Sequence, residues 1–197
     1  MGKTPSRLRR SIRYEAARIM AEDGIRDFRK AKRKACGRLG VATNRSIPTN
    51  LEIEDSLEEH LAIFNGDELP DRQQLYIRAA FTVMQWFRHC SPRLVGAAVS
   101  GTITPSRPVE LQLFPDTFEE IGIALEDQGI GFRISEKRLR FQREGFRNMS
   151  GFEFQMDGVD IEVMVFLPGD PYPPLSRVTG KTIQWISMKK VSRLLGG

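Results

Sequence analysis

The sequence predicts an α+β fold, and three observations predict it. Apolar residues recur at helical spacing along most of the first 91 positions. Apolar–polar alternation marks 109–113, and the stretch 159–166 repeats the theme. Asp157-Gly158 joins the second of these stretches to another alternating one at 151–156, the dipeptide of a tight hairpin. A helical region over 1–91 and a mixed-sheet region over 92–197 are therefore expected, with the helices packed on the sheet as one compact unit. A chain of 197 residues has room for a proper core.

The first helix is expected over 6–22, capped by Ser6, with Leu8, Ile12, Ala16, Ile19 and Met20 on its inner face and Gly24 after its end. A second, over 25–38, places Ile25, Phe28, Ala31 or Lys32, Ala35 and Leu39 inward. Arg26, Arg29, Lys30, Arg33, Lys34 and Arg38 lie on its other faces. Thr49 or Asn50 caps a third helix over 51–64, with Leu51, Leu57, Leu61, Ile63 and Phe64 apolar and a stop at Asn65-Gly66. The longest helix, 70–90, has Pro70 near its first turn and Leu75, Ile77, Ala79, Phe81, Met84, Trp86 and Phe87 around it.

Ser91-Pro92 then leads into an apolar strand over 93–99, a glycine-containing turn, and a strand on which Val109, Leu111 and Leu113 alternate with Glu110 and Gln112. Pro115-Asp116-Thr117-Phe118-Glu119 opens a helix that ends at Gly129. Strands follow at 130–134, 138–142, 151–156 and 159–167. A Pro/Gly loop covers 168–180, and Ser187 caps a last short helix. On the strand from Val159, one face carries Val159, Ile161, Val163 and Val165, and the other Asp160, Glu162 and Met164. If the two alternating strands are neighbours, Glu110, Asp160 and Glu162 share a surface. Carboxylates grouped in that way hold hard cations such as Mg²⁺. The same residues are equally at home on the wet side of a half-covered sheet.

The run Gly96-Ala97-Ala98-Val99-Ser100-Gly101-Thr102, followed by Pro108-Val109-Glu110-Leu111-Gln112-Leu113-Phe114, resembles the minimal nucleotidyltransferase fold of polymerase-beta-type enzymes. That family has Gly-Ser, a second Gly, an Asp-x-Asp or Asp-x-Glu strand, and a third carboxylate on an adjacent strand. The whole chain resembles a group of small bacterial proteins, some of them labelled UDP-N-acetylmuramate–alanine ligase, that read Gly-Ser-x-Leu-x-Gly-Thr-Ala and Ser-Asp-Ile-x-Leu-His-Leu-Phe. The ligase ATP loop, Gly-x-x-x-x-Gly-Lys-Ser/Thr, is absent from the chain. The resemblance implies a mixed sheet of minimal nucleotidyltransferase type and a nucleoside triphosphate held at Gly96, Ala97, Ser100, Gly101 and Thr102. It further implies Mg²⁺ on Glu110 and Glu162, both of them catalytic, with Asp160 as a substitute ligand. The chain departs from the pattern at Ala97 (Ser in the family), Pro108 (the first metal-binding Asp) and Gln112 (His in the relatives). Proline ligates no metal, and two-metal phosphoryl transfer needs both ions clamped.

Charge is uneven along the chain. Residues 1–40 hold 13 Lys and Arg against 4 Asp and Glu, whereas 51–71 hold eight acids and no Lys or Arg. The basic helix reads as a solvated face, as a polyanion-binding face with RNA the natural ligand, or as the electrostatic partner of the acidic helix. Two cysteines, Cys36 and Cys90, form no paired motif, which suggests a reducing, cytoplasmic setting and no zinc site. His60 and His89 read as isolated surface or packing residues. No apolar run approaches the length of a membrane span. The expected function is a nucleotidyltransferase-fold protein with a degenerate active site that binds nucleic acid or a partner. The alternative is an active Mg²⁺-dependent nucleotidyltransferase.

Overall fold

The structure, a computed structural model, describes residues 5–42, 46–64 and 69–196. The helix stop expected at Asn65-Gly66 lies outside them. The protein is α+β, with a six-stranded mixed sheet among the described residues. Its chain divides into two compact units. One comprises 1–70, 102–107 and 177–179, and the other 71–101, 108–176 and 180–197. The first boundary falls after Pro70, so all but the first two residues of the long helix belong with the sheet-bearing unit.

The first unit is built on α1 (Pro5–Glu22), α2 (Phe28–Arg38) and α3 (Asn50–Phe64). Ile12, Ala16, Ile19 and Met20 of α1 are buried with Ala31, Ala35 and Cys36 of α2 and Ile53, Leu57 and Leu61 of α3. The buried stripe of α3 differs from the expected one: Leu51, Ile63 and Phe64 are exposed, and Ile53 replaces them. Ile53, Leu57 and Leu61 recur every four residues and so share one helix face. The second helix starts three residues later than expected because Asp27 has extended backbone and its carboxylate accepts from Lys30 N at 2.7 Å.

Thr49 and Glu52 close a capping box on α3. Thr49 Oγ1 accepts from Glu52 N at 3.2 Å, and Glu52 Oε2 accepts from Thr49 N at 2.7 Å. Glu52 also receives Arg9 from α1, at 2.8 and 2.6 Å. The Arg9 hydrogen bond, aided by the Thr49 amide and hydroxyl, pulls the Glu52 carboxyl from its ordinary 4.5 down to about 2. A depressed carboxyl pKa stabilises the fold above the unfolded value, and that contribution is lost as pH falls through the folded one. Urea unfolding followed from pH 5 to pH 2 should therefore show a decline in stability that is shallower in Glu52→Gln. Equal slopes in the two proteins would remove Glu52 from the account.

The second unit holds α4 (Leu69–Trp86), a 3₁₀ turn (Arg88–Cys90), β1 (Arg93–Val95), α5 (Ala97–Ser100), β2 (Val109–Leu113), α6 (Glu119–Asp127), β3 (Phe132–Phe141), β4 (Gly145–Met156), β5 (Val159–Val165), β6 (Ile186–Ser187) and α7 (Met188–Gly196). The sheet order is β3-β4-β5-β2-β1-β6. Only β2 and β5 run parallel; the other neighbours are antiparallel. Val109, Leu111, Leu113, Ile161, Val163 and Val165 are buried on one face. On that face α6 lies with Phe118 stacked on Phe152, and a Cβ at Gly122 would stand 3.5 Å from Phe152.

Two strand expectations change. The strand foreseen over 93–99 stops at Val95, because Gly96 takes φ +70° and turns the chain into α5. The two short strands foreseen at 130–134 and 138–142 are one, β3, paired with β4 from Phe132↔Phe154 to Phe141↔Gly145. Neither strand carries a full apolar stripe along this ribbon, so alternation alone does not reveal its length.

Candidate functional site

Strand register gathers the acidic residues. On the parallel β2–β5 pair Glu110 stands opposite Glu162. On the antiparallel β4–β5 pair Glu153 also stands opposite Glu162, and Arg133 of β3 follows opposite Glu153. Three carboxylates thus form one row across β2, β5 and β4. Asp160, two residues before Glu162, accepts from Gln155 Nε2 at 2.9 Å in the β4–β5 hairpin. The row carries its own countercharge. Lys137 Nζ of β3 is ion-paired with Glu162 Oε1, and Arg133 with Glu153 at 2.6 Å. Glu162 is only 4% exposed, so its pairing with Lys137 answers a desolvation cost that the charge would otherwise meet alone.

The glycine turn borders this row. Gly96 has φ +70° and ψ −145°, a conformation open essentially to glycine, and a Cβ there would overlap the Glu110 carboxylate. Missing that atom, residue 96 lets Glu110 lie against the backbone where α5 begins. Gly101 closes the four-residue helix with φ +82°. Ala97 is buried and brings no hydroxyl; Ser100 is exposed, its Oγ 3.5 Å from Ala97 O.

Thr102 was expected beside these residues, yet it falls in the helical unit and is buried at 1% exposure. There its hydroxyl donates to Glu54 Oε1 at 2.5 Å. Arg107 donates to both Glu54 oxygens, at 2.6 and 2.8 Å, and to Thr102 Oγ1 at 2.7 Å. Thr102 is thereby a member of a buried Glu54–Arg107–Thr102 network.

The donor set does not fit a two-Mg²⁺ clamp. Pro108, buried at the head of β2, offers no ligand at the position of the bridging Asp. A cation at Glu162 would meet the Lys137 ammonium already placed there. Gln112, at the position where the resembled pattern has His, is 2% exposed and accepts the Tyr172 hydroxyl at 3.1 Å. A groove of about 570 Å³ does run beside α5, but Ala98, Val99, Trp185 and Lys190 are among its lining residues and neither Glu110 nor Glu162 is.

The cations on and just before α2 sort into three groups. Lys32 donates to Asn50 Oδ1 at 2.7 Å. Lys34 pairs with Asp23 at 3.0 Å, and Arg38 with Glu15 and Asp23 at 3.1 and 2.8 Å. Their partners lie within α1 or just past it rather than on the acidic α3. Arg26, Arg29, Lys30 and Arg33 are exposed, with Arg26 holding an interaction of its own. The α3 acids instead engage Arg9 through Glu52 and Arg107 through Glu54.

Three positions escaped the sequence reading. Glu153 was open to inference, since a two-residue hairpin at Asp157-Gly158 sets Gln155 against Asp160 and hence Glu153 against Glu162. Lys137 was not, because its strand was split in two. The third is a correction: His89 is not isolated. His89 Nε2 lies 2.7 Å from Glu120 Oε1, and Cys90 Sγ donates to the same oxygen at 3.5 Å. Burial, then the Glu120 and Asp116 charges, push the Cys90 thiol up to about 12, which rules it out as a ready nucleophile near neutral pH.

No family model matches the chain, and no curated protein matches it. No helix among the described residues is long and apolar enough to cross a membrane.

Proposed function

We propose that this protein is a nucleotidyltransferase-type scaffold that has given up phosphoryl transfer and binds a polyanion, RNA in the first instance, through α2. The fold part of the reading is supported by the glycine turn between antiparallel β1 and β2 and by the parallel β5 that sets Glu162 against Glu110. The observation that carries the loss of chemistry is Lys137 on Glu162: the third carboxylate of the pattern is neutralised from within, beside a strand whose first ligand position is Pro108. The binding part is supported by Arg29, Lys30 and Arg33, exposed on successive turns of one helix in a segment of strong positive charge.

Such a face contacts phosphates rather than bases, so affinity should be sequence-independent and fall steeply with salt. Fluorescence anisotropy with a labelled single-stranded RNA should show this. The triple variant Arg29→Ala, Lys30→Ala, Arg33→Ala should lower the slope of log K against log salt by about 2, three phosphates at about 0.7 each. An unchanged slope would remove α2 as the binding face.

The in-register Glu110 and Glu162 beside Gly96 favour a second reading, a working Mg²⁺-dependent nucleotidyltransferase. Calorimetric titration with nucleoside triphosphates, with and without Mg²⁺, decides between the two. Metal-dependent binding that vanishes in Glu110→Ala, Glu162→Ala would restore the enzyme. No binding is expected.

A further inference from the structure

The side chains of His89, Cys90 and Glu120 offer one nitrogen, one sulfur and one oxygen whose atoms all lie within 4.8 Å of one another. We propose that they form a zinc-class metal site, independent of the carboxylate row and of α2. The three donors are those that borderline-soft Zn²⁺ takes in proteins. Bond lengths of about 2.0–2.3 Å to such an ion place neighbouring donor atoms about 3.3–3.7 Å apart. The Cys90 to Glu120 spacing, 3.5 Å, falls inside that range, and the His89 to Glu120 spacing, 2.7 Å, falls short of it. A modest opening of the His89 ring away from Glu120 admits the ion.

The surroundings suit coordination as well. Cys90 is held from both sides by backbone bonds: its N–H donates to Phe87 O at 2.9 Å, and its carbonyl accepts from Phe114 N at 2.9 Å. Ser91, with φ +48°, fixes the turn that follows. Glu120 stands in the first turn of α6. Cys90 is 1% exposed, whereas the His89 side chain is 58% exposed. The sulfur is thus shielded from oxidants while the ion keeps a solvent-facing position for a fourth ligand, which water can fill. In the metal-free state Glu120 Oε1 collects both neighbours; on binding, the thiol loses its proton to solvent and the ion takes the place of those two contacts.

The test is titration of the purified full-length chain with Co²⁺, a spectroscopic stand-in for Zn²⁺. One equivalent should bind with a thiolate-to-cobalt charge-transfer band, and Zn²⁺ should displace it. Cys90→Ser should abolish the band and Cys36→Ser should leave it intact. Because Cys90 is buried and its replacement could unfold the chain, the exposed His89→Ala and half-exposed Glu120→Gln serve as the second test. Each should weaken Co²⁺ binding at least tenfold. A wild-type chain without the band, a band lost in Cys36→Ser, or weakening below tenfold in both His89→Ala and Glu120→Gln would overturn the proposal.

Discussion

Glu54→Ala is expected to destabilise the helical unit by about 3–5 kcal/mol, the cost of stripping one partner from a buried ion pair. Arg107 reaches Glu54 through two parallel N–H···O bonds, with side-chain exposures of only 13% and 10%. Removal of the carboxylate leaves a guanidinium with little water, and the Thr102 hydroxyl, at 1% exposure, without its acceptor. Both groups then pay desolvation with no return. The double replacement Glu54→Leu, Arg107→Met should cost far less, because neither charge is left behind. Urea unfolding of the three proteins, followed by circular dichroism, checks this. A loss below about 1 kcal/mol in Glu54→Ala would mean that water reaches Arg107 freely, as at surface pairs.

Gly96→Ala carries the second large effect. Its dihedrals alone cost about 1–3 kcal/mol for a residue with a side chain. The new Cβ would also press on the Glu110 carboxylate, whose Cδ would be 2.7 Å away, adding an overpacking cost of about 1–3 kcal/mol. The two parts separate in a double-mutant cycle. Glu110→Ala should restore the steric share to Gly96→Ala and leave the dihedral share in place. Additive effects of the two substitutions on the urea midpoint would show that residue 96 and Glu110 do not touch. The cycle also tests the turn that supports the scaffold reading, since Glu110 lies against the Gly96 backbone there.

How much of the site was legible depends on range along the chain. Glu110 and Glu162 were found from alternation, because a half-buried strand writes its two faces into the sequence. Thr102 was assigned to the glycine turn because it follows Gly101, but Glu54, 48 positions earlier, holds it elsewhere. The basic helix was read as one face. Lys34 and Arg38 left that face when Glu15, on the preceding helix, and Asp23, just past it, reached them. In each case local spacing was read correctly and the partner lay beyond it.

By itself, then, the sequence determined the α+β class, the inner face of α1, the Asp157-Gly158 hairpin, and the strand faces of β2 and β5. These follow from periodicity and turn chemistry, which act over a few residues. Tertiary structure decided the rest: the division at Pro70, the parallel register that sets Glu110 against Glu162, the Lys137 ammonium on that carboxylate, and the meeting of His89 and Cys90 with Glu120. Each depends on which distant segments pair, and register between strands is specified by packing across the sheet rather than by either strand alone.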